Sequence, residues 1–280
     1  MPVLHAIVLG IVQGLSEFLP ISSSGHLEVV PWLLGWDDFA GAPAVERAFD
    51  VAVHIGTLVG AVAHFRRDLL RLARAGVGSI TSGRWWRSDD GDARQAWLLL
   101  LSAVPAAIVG ATFAEALETT GEQEWLVGLM LVVFGLVLWW ADRLGGHRSV
   151  DEWRGRGALT MGLAQALALQ PGVSRSGVTI TAGRWIGLDR DAAARLSFLM
   201  SIPIIAGAGL FSWFDLRQAG GLPEGLAAPF AWAGVASAAT GYLAVWATLR
   251  LVRTHSFAPF VVYRVVFGTA VILVALTNLR

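Results

Sequence analysis

Residues 13–27 read QGLSEFLPISSSGHL, directly after the almost wholly apolar run VLHAIVLGIV at 3–12. A glutamine, a glutamate, a proline, four serines and a histidine thus follow a segment that looks bound for a membrane. Lipid offers polar groups no partners, so a cluster of this kind needs a protein-lined or wet setting. What that setting is decides the fold.

The chain has 280 residues, 55% hydrophobic and only 15% charged, with 13 tryptophans and a mean hydropathy of +0.60. A soluble domain carries nearer a quarter charged residues, about 25%. Several apolar runs reach membrane-spanning length, roughly 17–25 residues. Cysteine is absent, which excludes disulfides, zinc–thiolate sites and thiol nucleophiles. All 21 basic residues are arginine, so no Walker-type lysine exists. The formal net charge of zero gives no reason to expect nucleic-acid binding. The N-terminus has neither a basic region nor a cleavage site and reads as retained.

Full crossings are predicted at 51–65, 96–113, 125–141, 196–213, 226–249 and 257–276. Trp97, Trp125, Trp139 and Trp140 stand at span ends, where amphipathic rings favour the headgroup level. Two apolar pieces, 3–12 and 158–169, are too short to cross, and each runs into a polar, proline-containing stretch. Arginine bias sets the orientation. The segment 66–94 holds seven arginines and 142–157 holds four, which places both in the cytoplasm. Between them 114–124 has four glutamates and no arginine, which places it outside.

Residues 162–177, GLAQALALQPGVSRSG, repeat the opening pattern at an offset of 152. Gly10, Gln13, Leu15, Ser22, Ser24 and Gly25 match Gly162, Gln165, Leu167, Ser174, Ser176 and Gly177. The topology count gives the two units opposite orientations, the mark of an inverted-topology repeat. The expected fold is therefore all-α: a polytopic membrane protein of about six full transmembrane helices with two re-entrant helix–loop–helix units. It forms one integral membrane domain over 1–280, with repeat-like halves at about 1–141 and 158–280.

The first unit brings Gln13 and Glu17 onto one helix face at i, i+4, and Pro20 ends that helix. Ser22, Ser23 and Ser24 lead into a returning helix whose N–H groups suit an anion. Glu17 could serve as general base or metal ligand, and His26 as acid, base or ligand. The second unit sets Arg175 among Ser174, Ser176 and Thr179, with no acid nearby in sequence. An arginine at membrane depth is functional by default, and its planar fork suits a phosphate. Together the two describe phosphoryl chemistry within a membrane. His54, four residues after Asp50, reads first as a hydrogen-bonded helix residue, with a third catalytic imidazole as the alternative. For Arg264 in the last span, phosphate contact and structural pairing stand equal.

QGLSEFLPISSSGH and PGVSRSGVTI resemble the two signature motifs of bacterial undecaprenyl-diphosphate phosphatases, the bacitracin-resistance family. Chain length and the closing FAPFVVYR stretch extend the resemblance over the whole chain. It implies a multi-pass enzyme of the bacterial plasma membrane, embedded in membrane lipids, that removes the terminal phosphate of a polyprenyl diphosphate. It also implies that Glu17, Ser23, His26 and Arg175 are catalytic and that Gln13 and Ser174 belong to the site, while the turns themselves offer Ser22, Ser24, Ser176 and Thr179 as further substrate contacts. A divalent cation is implied as well, magnesium with calcium as the alternative, ligated by Glu17 and substrate phosphate oxygens. Gln13 stands where many relatives have a second carboxylate, which leaves one acid for that cation. Ser23, His26 and water remain open as nucleophile, and a homodimer is compatible with the reading. The rival class is a lipid-phosphate transporter or flippase, since inverted re-entrant repeats are a transporter architecture. An acid-phosphatase-type lipid phosphatase is rejected, because GVTITAGRWIGL supplies no histidine or acid downstream of Ser-Arg.

Overall fold

The structure is a computed structural model that describes residues 1–39, 42–82, 90–121, 123–218 and 221–277, with 114–121 and 215 described by backbone alone. Ten α-helices follow one another: α1 Val3–Phe18, α2 Ser23–Leu34, α3 Pro43–Thr81, α4 Gly91–Gly121, α5 Glu124–Arg143, α6 Gly155–Leu167, α7 Arg175–Trp185, α8 Arg190–Gln218, α9 Ala227–Leu251 and α10 Ala258–Leu276. Six of them, α3, α4, α5, α8, α9 and α10, are long and apolar enough to cross a membrane, at the six predicted places. Their outer faces carry the exposed apolar side chains that lipid requires, Phe211, Val266 and Leu276 among them.

The helix ends differ from the apolar runs for a physical reason. Hydropathy reports depth in the membrane, whereas a helix continues wherever its backbone stays satisfied. Helix α3 accordingly runs on to Thr81, past Arg66, Arg67, Arg71 and Arg74, so much of the predicted loop 66–94 is helical. Helix α1 continues beyond Val12 because Gln13 donates a hydrogen bond to Glu17 one turn on, at 3.1 Å. It stops at Phe18, and Leu19 is extended, as the residue before a proline prefers. Helix α4 kinks at Phe113 and its backbone continues to Gly121. The side chains of Glu115, Glu118 and Glu122 lie outside the described residues.

The packing pairs helices from opposite halves. Helix α1 lies on α9 and α6 on α4; α3 also packs on α9, α8 on α4, and α5 on α10. Glycine sets the closeness of the first two contacts. A Cβ at Gly10 would run into the Ala233 carbonyl of α9, and one at Gly162 would stand 2.6 Å from the Ser102 carbonyl of α4. Between these pairs the main core gathers Phe18, Phe65, Phe198 and Met200 under the two helix–turn–helix units. Asp142 pins the far end: buried at the end of α5, it accepts from Arg190 at 2.6 Å and from the Phe257 N–H at 3.1 Å, with Arg184 3.5 Å away. Removing one partner of such a buried pair costs about 3–5 kcal/mol.

Candidate active site

Both helix–turn–helix units reverse through a serine in the same unusual backbone conformation. Ser22 has φ 76° and ψ 96°, and Ser174 has φ 74° and ψ 112°. No other non-glycine residue described has positive φ. Such backbone costs on the order of 1–3 kcal/mol and persists only where the surroundings enforce it, typically at functional sites. Each serine also caps the helix that follows: Ser22 Oγ accepts from the Gly25 N–H at 3.4 Å, and Ser174 Oγ from the Gly177 N–H at 3.1 Å. The turns thereby make Ser23 and Arg175 the first residues of α2 and α7.

The two units meet at Glu17. Its Oε1 accepts from Arg175 Nη2 at 2.9 Å, and its Oε2 accepts from Ser23 Oγ at 2.6 Å and Gln13 Nε2 at 3.1 Å. His54 Nε2 stands 3.6 Å from the same Oε2. Arg175 is held by the Ser197 carbonyl at 3.0 Å, while its Nε has no partner among the described residues. The arginine without an acid in the local sequence therefore has one, 158 positions away. Beside this junction lies a cavity of about 160 Å³ lined by Glu17, Ser23, Ser24, His54, Gln165 and Arg175 among others, and flanked by Leu169, Ile204 and Ile205. A wider, acidic cavity of about 510 Å³ adjoins it and shares Ser24 and His54.

The remaining site residues are placed unevenly. Ser24 and Ser174 line the small cavity. Ser22 is buried and its hydroxyl serves the cap. Ser176 donates to the Leu19 carbonyl at 3.0 Å, which ties the second turn to the first, and Thr179 bonds Ser197 Oγ at 2.7 Å. Neither Ser176 nor Thr179 lines the cavity. His26 turns away from Glu17: Nδ1 meets the Ser22 carbonyl and Nε2 the Tyr263 hydroxyl, both at 2.6 Å, and its ring stacks on Phe267. Both nitrogens are thus engaged away from the Ser23–Glu17 pair.

Arg264 lies with its side chain fully buried and takes neither role in its simple form. It donates to the carbonyls of Pro20 in the first turn, of Gly172 and Val173 in the second, and of Met130 and Leu131 in α5. The opening question has its answer here. The polar turn is tolerated inside the protein because Arg264, Ser176 and Arg175 satisfy the backbone carbonyls of Pro20, Leu19 and Glu17. His54 is the hydrogen-bonded helix residue that its spacing from Asp50 predicts, and it also lies near Glu17. Its Nδ1 bonds the Asp50 carbonyl at 2.7 Å, as an i, i+4 helix residue does, and that same bond aims Nε2 at Glu17.

A protein-built divalent-cation cage is not present among the described residues, where no group of three His, Asp or Glu side chains converges. Among the described residues Glu17 is the only carboxylate lining the small cavity, and both its oxygens already accept from Arg175, Ser23 and Gln13.

The model of the bacitracin resistance protein BacA family matches residues 6–270. The chain belongs to that family. The undecaprenyl-diphosphatase of Pelobacter propionicus is 46% identical over 282 residues, covering 100% of this chain and 99% of the relative. That of Geobacter sulfurreducens is 46% identical over 97% of this chain and 98% of its own length. The undecaprenyl-diphosphatase of a Nocardioides species is 43% identical over 98% and 97%. The family match takes in both turns, five of the six long helices whole, and α10 as far as residue 270.

Proposed function

We propose that this chain hydrolyses undecaprenyl diphosphate to undecaprenyl phosphate and inorganic phosphate in a bacterial inner membrane. The reaction returns the lipid carrier to cell-wall synthesis and confers bacitracin resistance. Full-length relatives of that name support the reading, and one observation carries its chemistry. Ser23 Oγ is held 2.6 Å from a carboxylate whose other oxygen is fixed by Arg175.

The terminal phosphoryl group of the diphosphate enters the small cavity, and its prenyl chain leaves past Leu169, Ile204 and Ile205 towards lipid. Arg175 offers its free Nε–H to a phosphoryl oxygen. Ser23 Oγ attacks phosphorus as Glu17 takes its proton, and the bond to the bridging oxygen breaks to release undecaprenyl phosphate. Water then attacks the phosphoseryl group and frees inorganic phosphate. Holding nucleophile, base and cation in place before substrate arrives is the main source of rate in phosphoryl transfer. A lipid-phosphate transporter has no use for a serine hydroxyl bonded to a buried carboxylate.

The two helix–turn–helix units act in this reading as re-entrant halves of an inverted repeat. The matched pairings α1 on α9 and α6 on α4, and the twin serines at positive φ, support it. A divalent cation would arrive with the diphosphate and neutralise its charge, and Glu17 would be the one carboxylate at the small cavity, among the described residues, able to ligate it. The test is phosphate release from purified protein in detergent. Wild type releases phosphate from undecaprenyl diphosphate, and Ser23→Ala loses at least about a thousandfold in turnover. A silent wild type that moves lipid phosphate across vesicles would return the transporter reading.

A further inference from the structure

Gln165, in the last turn of α6, is buried to 3% exposure and lines the small cavity with Glu17, Ser23 and Arg175. Neither its Nε2 nor its Oε1 has a hydrogen-bond partner among the described residues. A buried amide left unpaired at both ends is costly and calls for an explanation. The offset of 152 supplies half of one. Gln165 corresponds to Gln13, whose Nε2 donates to Glu17 one turn on. The residue one turn beyond Gln165 is Leu169, so the second unit keeps the glutamine and lacks its acid. Gln165 thus brings an unpaired carboxamide to the lining of a cavity of about 160 Å³, room for a phosphoryl group and a water.

We propose that Gln165 positions the water that completes hydrolysis, an inference that rests on the phosphoserine route proposed above. Its Nε2–H donates to an oxygen of the phosphoryl group on Ser23. Its Oε1 accepts one O–H of the water poised opposite Ser23 Oγ. The water oxygen bonds phosphorus as the Ser23 Oγ–P bond breaks, the proton Glu17 carries from the first step passes to Ser23 Oγ, and the second water proton passes to a phosphoryl oxygen, so that dihydrogen phosphate leaves and Glu17 returns to its carboxylate form. A glutamine that offers a donor to phosphate and an acceptor to water is suited to this step, because it orients both reactants without titrating.

Gln165→Leu and Gln165→Asn test it, each measured for steady-state kinetics, rapid-mix product formation and thermal unfolding in detergent. For Gln165→Leu, kcat falls about a hundredfold and kcat/KM by less than about tenfold, because the first chemical step is retained. Undecaprenyl phosphate appears in a burst near one per enzyme while inorganic phosphate lags. The unfolding temperature is unchanged or higher, since an unpaired amide has been replaced by an apolar group. Gln165→Asn is impaired as well, its amide falling short of the cavity. Turnover within about threefold of wild type overturns the assignment, as does loss of activity without a burst. So does a kcat loss that tracks a lower unfolding temperature, which would make Gln165 structural. Wild type runs beside the variants, and a wild type that releases no phosphate would sink the hydrolase reading itself.

Discussion

Replacing Arg264 by lysine keeps a positive charge and discards the fork, which isolates what the guanidinium does. Arg264 makes five hydrogen bonds: Nε to Leu131 at 3.0 Å, Nη1 to Pro20 at 3.2 Å, and Nη2 to Gly172, Val173 and Met130 at 2.9, 3.0 and 3.4 Å. Met130 and Leu131 lie within α5, so their carbonyls also have helical partners. The carbonyls of Pro20, Gly172 and Val173 lie in the two turns, outside any helix. An ammonium is a compact donor at the end of a flexible stem and cannot span both turns and α5 together. Two of the turn carbonyls should lose their donor, at about 1–3 kcal/mol each for a buried orphan. The sum, about 2–6 kcal/mol, is a large part of a typical stability of about 5–15 kcal/mol. It should lower the unfolding temperature by on the order of 10 °C. Turnover should fall as well, by about a hundredfold, because the same carbonyls set the approach of Ser23 to Arg175 and misplacement by ~1 Å has that effect. Thermal unfolding in detergent and phosphate release measure the two losses. Arg264→Lys with wild-type unfolding and wild-type kcat would refute the tie. Wild-type unfolding with only KM raised would mean that the guanidinium touches substrate phosphate.

Three further outcomes follow from the same geometry. Glu17→Gln, which removes the only carboxylate lining the small cavity among the described residues, should abolish nearly all turnover, by about a thousandfold or more, while the protein remains folded; near-normal phosphate release would take the acid out of the mechanism. Arg175→Lys should lower kcat by about a hundredfold, since one ammonium cannot hold Ser197, Glu17 and a phosphoryl oxygen together; turnover within a few-fold of wild type with only KM raised would reduce Arg175 to an electrostatic anchor. Single cysteines in this cysteine-free chain report orientation, and an impermeant thiol reagent on intact cells should label position 120 and leave position 148 unlabelled; the opposite pattern would overturn the topology and the inverted repeat argued from it.

The six spans were legible because lipid imposes a compositional rule on every residue of a crossing, and local composition is what a sequence displays. The residue types of the site were legible for a related reason: Glu17 and Arg175 are charges set beside apolar runs, where charge is expensive. What was hidden is pairing. Arg175 shows no acid in its own segment, yet Glu17 sits 2.9 Å away because the two turns meet. Arg264 gave two equal readings, and its partners turned out to be backbone carbonyls, which carry no residue-type signal at all. His26 was singled out by its type, but α10 supplies Tyr263 and Phe267 around its ring, 237 and 241 positions away. His54 reads as an ordinary helix histidine because its Nδ1 bond is one; only the approach of α1 to α3 gives the other nitrogen a meaning.

The offset of 152 separates what the two halves share from what they do not. Ser22, Ser24 and Gly25 recur as Ser174, Ser176 and Gly177, and these are the residues that build the turn and cap the helix. Glu17, Ser23 and His26 recur as Leu169, Arg175 and Val178, so the reacting groups differ at every position. The difference has an electrostatic reason. Two glutamates or two arginines brought together at this junction would leave like charges buried side by side, and an isolated buried charge costs several kcal/mol even after relaxation. One of each lets Glu17 and Arg175 compensate one another before substrate arrives. The same arrangement suits the proposed reaction, because it puts the carboxylate against the Ser23 hydroxyl and leaves Arg175, which lines the cavity, with an unpartnered Nε–H among the described residues. Two turns of like backbone therefore carry unlike side chains here, and their meeting is what lets opposite charges from distant parts of the chain arrive at hydrogen-bonding distance.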